Sequence, residues 1–94
     1  MNTQLYLRVN GGNVGCYKEP NLNSRIETVF PIGTSLLVES IHNQDNDPSA
    51  DRYYACVQYF DAKSQRITFG YISLQSTHLI IAPIKYDSEG NYVF

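Results

Sequence analysis

Few side chains in this 94-residue chain could do chemistry, and their spacing limits what that chemistry could be. Cys16 and Cys56 are its two thiols, and His42 and His78 its two imidazoles. A nucleophilic pair would need Cys16 activated by one of those histidines. The residues around Cys16 carry no cysteine-peptidase signature, and alternation puts Cys16 on one strand face with Val14. A small buried thiol is the expected state. A bridge from Cys16 to Cys56 would need their Cα atoms about 5.5 Å apart; it stands as the minor alternative to two free thiols. Asp45, Asp47 and Asp51 offer oxygen ligands, but a calcium-loop pattern would need Gly and Glu where Ala50 and Val57 stand. Neither histidine has a second ligand at metal spacing, so no metal is expected. Asn10 to Gly15 is glycine-rich, yet no helix and no Lys-Ser/Thr follows to hold a phosphate, so it reads as a hairpin turn. No paired carboxylates suggest acid/base work. The expectation is a protein with no cofactor that is not an enzyme.

Aromatic surface is the remaining signal. The chain has eight Tyr, four Phe and no Trp. Tyrosine suits strands, and it suits interfaces because a rigid apolar ring carries a polar tip. Net charge is −2, and the seven cations, Arg8, Lys18, Arg25, Arg52, Lys63, Arg66 and Lys85, form no run. Nucleic acid is therefore an unlikely partner, since phosphate neutralisation supplies most of such affinity. The start, Met1-Asn2-Thr3-Gln4, lacks the basic and apolar stretches of a secretory signal, and no segment approaches a membrane span. With two unframed cysteines, these features point to a cytoplasmic protein without membrane contact.

The elements that must position those side chains are strands. Leu5, Leu7 and Val9 alternate with Gln4, Tyr6 and Arg8, a period of 2. After the Asn10–Asn13 turn a short strand carries Val14 and Cys16, and Lys18 to Ser24 reads as an exposed loop. Arg25–Phe30, Ser35–His42, Arg52–Phe60 and Ile67–Ile72 read as further strands. Pro31-Ile32-Gly33, the polar 43–51 run and Asp61–Gln65 separate them. Ser73–His78 is expected to form one turn of 3₁₀ helix, Leu79–Ile81 to open a last long strand, and Ile84–Phe94 to form a terminal hairpin. No window shows a convincing 3.6-residue period. Short strands with turns every 8–12 residues predict a single all-β domain spanning 1–94, a small barrel or sandwich.

Residues 14 to 79 resemble the bacterial SH3-like domain, a five-stranded, partly open barrel. Val14-Gly15-Cys16-Tyr17-Lys18-Glu19-Pro20 stands in place of that family's opening L-N-V-R-x-G-P. Ile26 to Thr34 matches its short strand and G-T turn, and Leu36-Leu37-Val38 the strand after it. Tyr54-Ala55-Cys56-Val57 resembles its W-x-x-V segment, and Gly70-Tyr71-Ile72 with His78-Leu79 its ending. Tyr stands at both usual Trp positions, Gly15 and Tyr17 replace the Asn and Arg of the opening, and His78 replaces a Tyr.

The resemblance implies an SH3-like barrel with an extra N-terminal strand and a C-terminal extension over 80–94. It also implies that Tyr17, Tyr54, Tyr71 and His78 converge on one side as a binding face. The functional expectation is a non-catalytic interaction module, an accessory, adaptor or inhibitor that binds a protein or peptide. The alternative is a cell-wall (peptidoglycan) targeting module from a longer secreted protein. The apolar residues Ile84, Tyr86, Tyr92 and Phe94 are expected to pack the terminal hairpin either on the barrel or on a second copy as a homodimer.

Overall fold

The computed structural model describes residues 4–21, 23–43, 52–76 and 78–93. Among them there is no helix, and none long and apolar enough to cross a membrane. Nine strands form among the described residues: β1 (Leu5–Val9), β2 (Val14–Tyr17), β3 (Ile26–Phe30), β4 (Ser35–Asn43), β5 (Tyr53–Asp61), β6 (Arg66–Ser73), β7 (Leu79–Pro83), β8 (Lys85–Tyr86) and β9 (Tyr92–Val93). The first seven make one antiparallel sheet in the order β3-β2-β6-β5-β4-β1-β7, and β8 pairs with β9.

Two short connections show that this sheet coils. Three strands separate β3 from β4 in the sheet order, so a flat sheet would hold them about 19 Å apart at 4.8 Å per strand. The chain covers that interval with a tight turn, in which the Thr34 N–H donates to the Pro31 carbonyl at 3.2 Å and Gly33 adopts φ +95°. Such a turn brings its ends within about 7 Å. Three strands also separate β1 from β2, which are joined by residues 10–13 alone. The sheet therefore wraps around its inner face, though it is not closed.

β4 makes the wrap possible by serving two neighbours. Its first half pairs with β1 (Leu7↔Leu36, Leu5↔Val38) and its second with β5 (Ser40↔Cys56, Asn43↔Tyr53). A register irregularity between Val38 and Ser40 divides the halves, and such bulges bend a strand. The core lies inside the wrap: Leu7, Val9, Val14, Cys16, Phe30, Ala55, Val57 and Ile72, with Leu36, Val38, Tyr59, Leu74 and Leu79 packed against them.

The expected strands form. The extra N-terminal strand, β1, lies between β4 and β7 in the main sheet. Residues 80–83 belong to β7 and pair with β1, so they are part of the main sheet. The 3₁₀ turn expected over 73–78 falls partly outside the described residues; those described show Leu74 and Gln75 in a turn, with the Ser76 N–H donating to the Ser73 carbonyl at 3.4 Å. At the terminal hairpin Ile84 is buried, and the 54%-exposed Tyr86 donates its hydroxyl to Gln4 Oε1 at 3.5 Å, so both side chains tie the start of the hairpin to the body. Phe94, the Tyr92 side chain and the acidic residues Asp45, Asp47 and Asp51 lie outside the described residues.

Candidate functional site

Strand alternation defines two faces of the β5–β6 hairpin. Ala55, Val57, Gly70 and Ile72 turn inward to the core, paired as Ala55↔Ile72 and Val57↔Gly70. Tyr54, Cys56, Gln58 and Phe60 on β5, and Ile67, Phe69, Tyr71 and Ser73 on β6, therefore take the outward face. None of these eight is charged. Tyr71 pairs with Cys56 on one side and with Tyr17 of β2 on the other, and Cys56 pairs in turn with Ser40 of β4. One row across four strands thus carries Tyr17, Tyr71, Cys56 and Ser40.

Three of the four expected site residues meet on this face. The Tyr17 and Tyr54 rings lie edge to face, with centroids 6.3 Å apart, and Tyr17 pairs in register with Tyr71. Their roles differ from the expectation. Tyr54 is 0% exposed, so it forms the floor of the face and presents no ring to a partner. His78 sits at the Gly11–Gly12 turn, where its ring atoms would lie 2.7–3.1 Å from a Cβ at either glycine. Its carbonyl accepts the Asn10 N–H at 2.7 Å. The imidazole beside Tyr71 is instead His42, edge to face with it at 5.4 Å. His42 and Ser40 share a face of β4 by simple alternation, and that signal was available in the sequence.

Hydrogen bonds tie this row together. Ser40 Oγ lies 2.7 Å from His42 Nε2, and the Ser40 and Tyr71 hydroxyls both bond the Cys56 sulfur. Burial nevertheless raises the Cys56 thiol above its ordinary range, against those two bonds. Burial likewise raises the Tyr71 hydroxyl. A thiol held in its protonated form is a poor nucleophile.

Cys16 lies on the opposite face and is pushed up to about 12 by burial, with a backbone hydrogen bond from Tyr71 working the other way. Both cysteines are free and buried. This sets the sign of an alkaline effect. The unfolded thiol ionises near 9.0 and the folded one only near 12, so the unfolded state loses protons first. Stability is fully present below pH 9 and declines as pH rises toward 12. The raised hydroxyls of Tyr59 and Tyr71 act in the same direction above pH 10. Urea midpoints followed upward from pH 8 should fall with a slope that flattens in Cys16→Ala. An unchanged slope would assign the alkaline loss to other groups.

Two further features adjoin the tyrosines. β2 and β6 are in register at Tyr17↔Tyr71 alone. Beyond that pair a cleft of about 200 Å³ opens, lined by Asn13, Val14, Gly15, Tyr17, Ile72, Ser73 and Ser76. In the other direction the outward face continues to Phe69, Ile67 and Phe60, which are 54%, 58% and 58% exposed. Phe60 and Ile67 stand opposite each other across the hairpin. None of these three is among the residues that the family resemblance implies for the binding face. Their outward parity was readable; their exposure depends on nothing packing over the distal hairpin. Compared with known proteins, the chain matches no family model, no curated protein and no solved structure.

Proposed function

We propose that this chain is a non-catalytic protein-interaction module with a bacterial SH3-like barrel, acting in the cytoplasm as an accessory, adaptor or inhibitor of a larger protein. The order of strands supports the barrel reading: a bent β4 shared between two half-sheets, and a short connection from β6 to β7, the last strand of the main sheet. One observation carries the functional reading. The outward face of β5–β6 holds no charged residue and exposes Phe60, Ile67 and Phe69 beside Tyr71. Contiguous apolar surface of this kind marks interaction sites on small domains.

The contact set is therefore Tyr17, Tyr71, Phe69, Ile67 and Phe60, with Tyr54 beneath. Partners cross-linked to the chain and identified by mass spectrometry supply the ligand for measurement. Tyr71→Ala and Phe69→Ala should each then weaken binding by about 2 kcal/mol, some thirtyfold, with an unchanged circular dichroism spectrum. Full affinity in the folded double variant would move the binding surface elsewhere.

The cleft favours a second reading, peptidoglycan targeting within a longer secreted protein. Its polar side chains, Asn13, Ser73 and Ser76, are uncharged, and Tyr17 lines it as well, a combination suited to sugar hydroxyls and amides. Co-sedimentation with purified sacculi that is lost in Tyr17→Ala would select this reading over the first.

A further inference from the structure

The two edges of the main sheet are built differently. Edge strand β3 contains Glu27, which is ion-paired with the adjoining Arg25 at 2.8 Å, and its pairing with β2 carries a register irregularity at Cys16/Tyr17. Charges, bulges and edge prolines are common guards against edge-to-edge association, and on β7 the proline stands only at the last position. Edge strand β7 reads Leu79-Ile80-Ile81-Ala82-Pro83, with no charge, and its five pairs with β1 run without irregularity. Ile80 and Ile81, on opposite faces of the strand, are 43% and 37% exposed.

The direction of the β7 backbone follows from one bond. The Ile84 N–H donates to the Gln4 carbonyl at 2.9 Å, which extends the register Leu5↔Pro83, Tyr6↔Ala82 by one residue. Hydrogen-bonded pairs alternate along an antiparallel ladder. Counting back, Ala82 and Ile80 direct their N–H and C=O groups at β1, while Leu79, Ile81 and Pro83 direct theirs away from it. Proline thus stands where its missing donor faces outward, its usual place on an edge strand. Leu79 and Ile81 present the outward donors, and among the described residues no strand pairs with them.

We infer that β7 is a self-association edge, joining a second copy of this chain antiparallel about a two-fold axis at Ile81. In that register each Ile81 N–H meets the second copy's Ile81 carbonyl. Each Leu79 N–H meets the second copy's Pro83 carbonyl. Every outward donor finds an acceptor, and the one lacking donor, that of Pro83, falls at the end of the ladder. Ile80 stands opposite Ala82, large against small, and β7 itself brings no charge to the seam. Any strand offers that donor spacing; what favours a second copy is that the two-fold axis puts both prolines at the ends of the ladder and sets each Ile80 against the second copy's Ala82. The contact is small, so the dimer is weak, with Kd on the order of 10–100 μM. This surface is separate from the outward aromatic face, and the Tyr71 and Phe69 binding test is independent of it.

Sedimentation velocity on the full chain across that concentration range, with amide exchange followed by NMR, tests the inference. The expected result is a mass rising from 10.7 kDa toward twice that value, with Leu79 and Ile81 amides slowing as concentration rises. Ile81→Pro deletes two of the four inter-copy bonds without touching a bond to β1, and should weaken the dimer at least about tenfold. Should that variant fail to fold, Ile80→Lys places an edge charge on an exposed position and should also give a monomer. A wild-type chain that stays at one mass throughout overturns the inference. So does a dimer in which Leu79 and Ile81 exchange independently of concentration.

Discussion

Tyr54→Ala is expected to remove about 3–5 kcal/mol of folding stability, the range for truncating a fully buried large aromatic side chain. Tyr54 is 0% exposed although its side chain leaves the sheet on the side away from the core cluster. The edge-to-face contact with Tyr17 helps to enclose it, and its cross-strand neighbours are His42 and Ser73. Truncation would leave a cavity beneath the very face that displays Tyr17 and Tyr71. Domains of this size hold a total of about 5–15 kcal/mol, so the loss is a large share of the whole. The melting temperature should fall by roughly 12–40 °C, at 4–8 °C per kcal/mol. Tyr54→Phe keeps the ring and should retain most of the stability. A Tyr54→Ala variant that melts within a few degrees of wild type would mean that the surrounding side chains close over the space. The family resemblance places Tyr54 among the contact residues, where truncation would spare the fold. Its burial reverses that order of effects.

What could be read from the sequence was local. Leu5, Leu7 and Val9 alternate, and the structure buries Leu7 and Val9 at 0% and 1%; Val14 and Cys16 follow the same rule one strand later. Pro31-Ile32-Gly33 announces a turn, and Asp61 anchors the β5–β6 turn by accepting the Lys63 N–H and the Ser64 hydroxyl. What could not be read depends on neighbours distant in sequence. Tyr54, Ala55, Cys56 and Val57 are four consecutive buried residues, because β5 lies between β4 and β6 and both its faces are covered there. Period 2 cannot tell floor from surface in such a strand. Beyond the irregularity at Val38/Ser40, Ile41 stands opposite the inward-facing Ala55, yet it ends up 45% exposed. The exchange of His78 for His42 has the same origin. His78 follows Tyr71 closely in the chain, but β-sheet register, not sequence distance, decides which imidazole meets that ring.

Gly70→Ala should also be strongly destabilising, by about 1–3 kcal/mol for overpacking and more if the adjacent ladder gives way. Its backbone φ lies outside the left-handed region, so the constraint is space. Gly70 is buried opposite Val57, and a Cβ there would collide with Cys16 Sγ. The same Cβ would lie 3.3 Å from a Tyr59 ring carbon and 3.4 Å from the Tyr17 carbonyl oxygen. The sulfur has little freedom to retreat, being 0% exposed within the core and held by a backbone hydrogen bond from Tyr71. The Tyr17 carbonyl belongs to the residue whose pairing with Tyr71 joins β2 to β6. A methyl group at position 70 therefore has two outlets: displace the Cys16 sulfur, or lift β2 from β6 and take Tyr17 out of the aromatic row. Cys16→Ala separates the two, because it removes the first obstacle and leaves the second. If the sulfur is the main obstacle, the double variant should recover at least half of the Gly70→Ala loss, a coupling well above the additive limit of about 0.5 kcal/mol. Strictly additive losses in urea denaturation would place the conflict at the Tyr17 backbone instead. Gly70 would then act by holding β2 against β6, and its substitution should weaken partner binding through Tyr17 even in variants that remain folded.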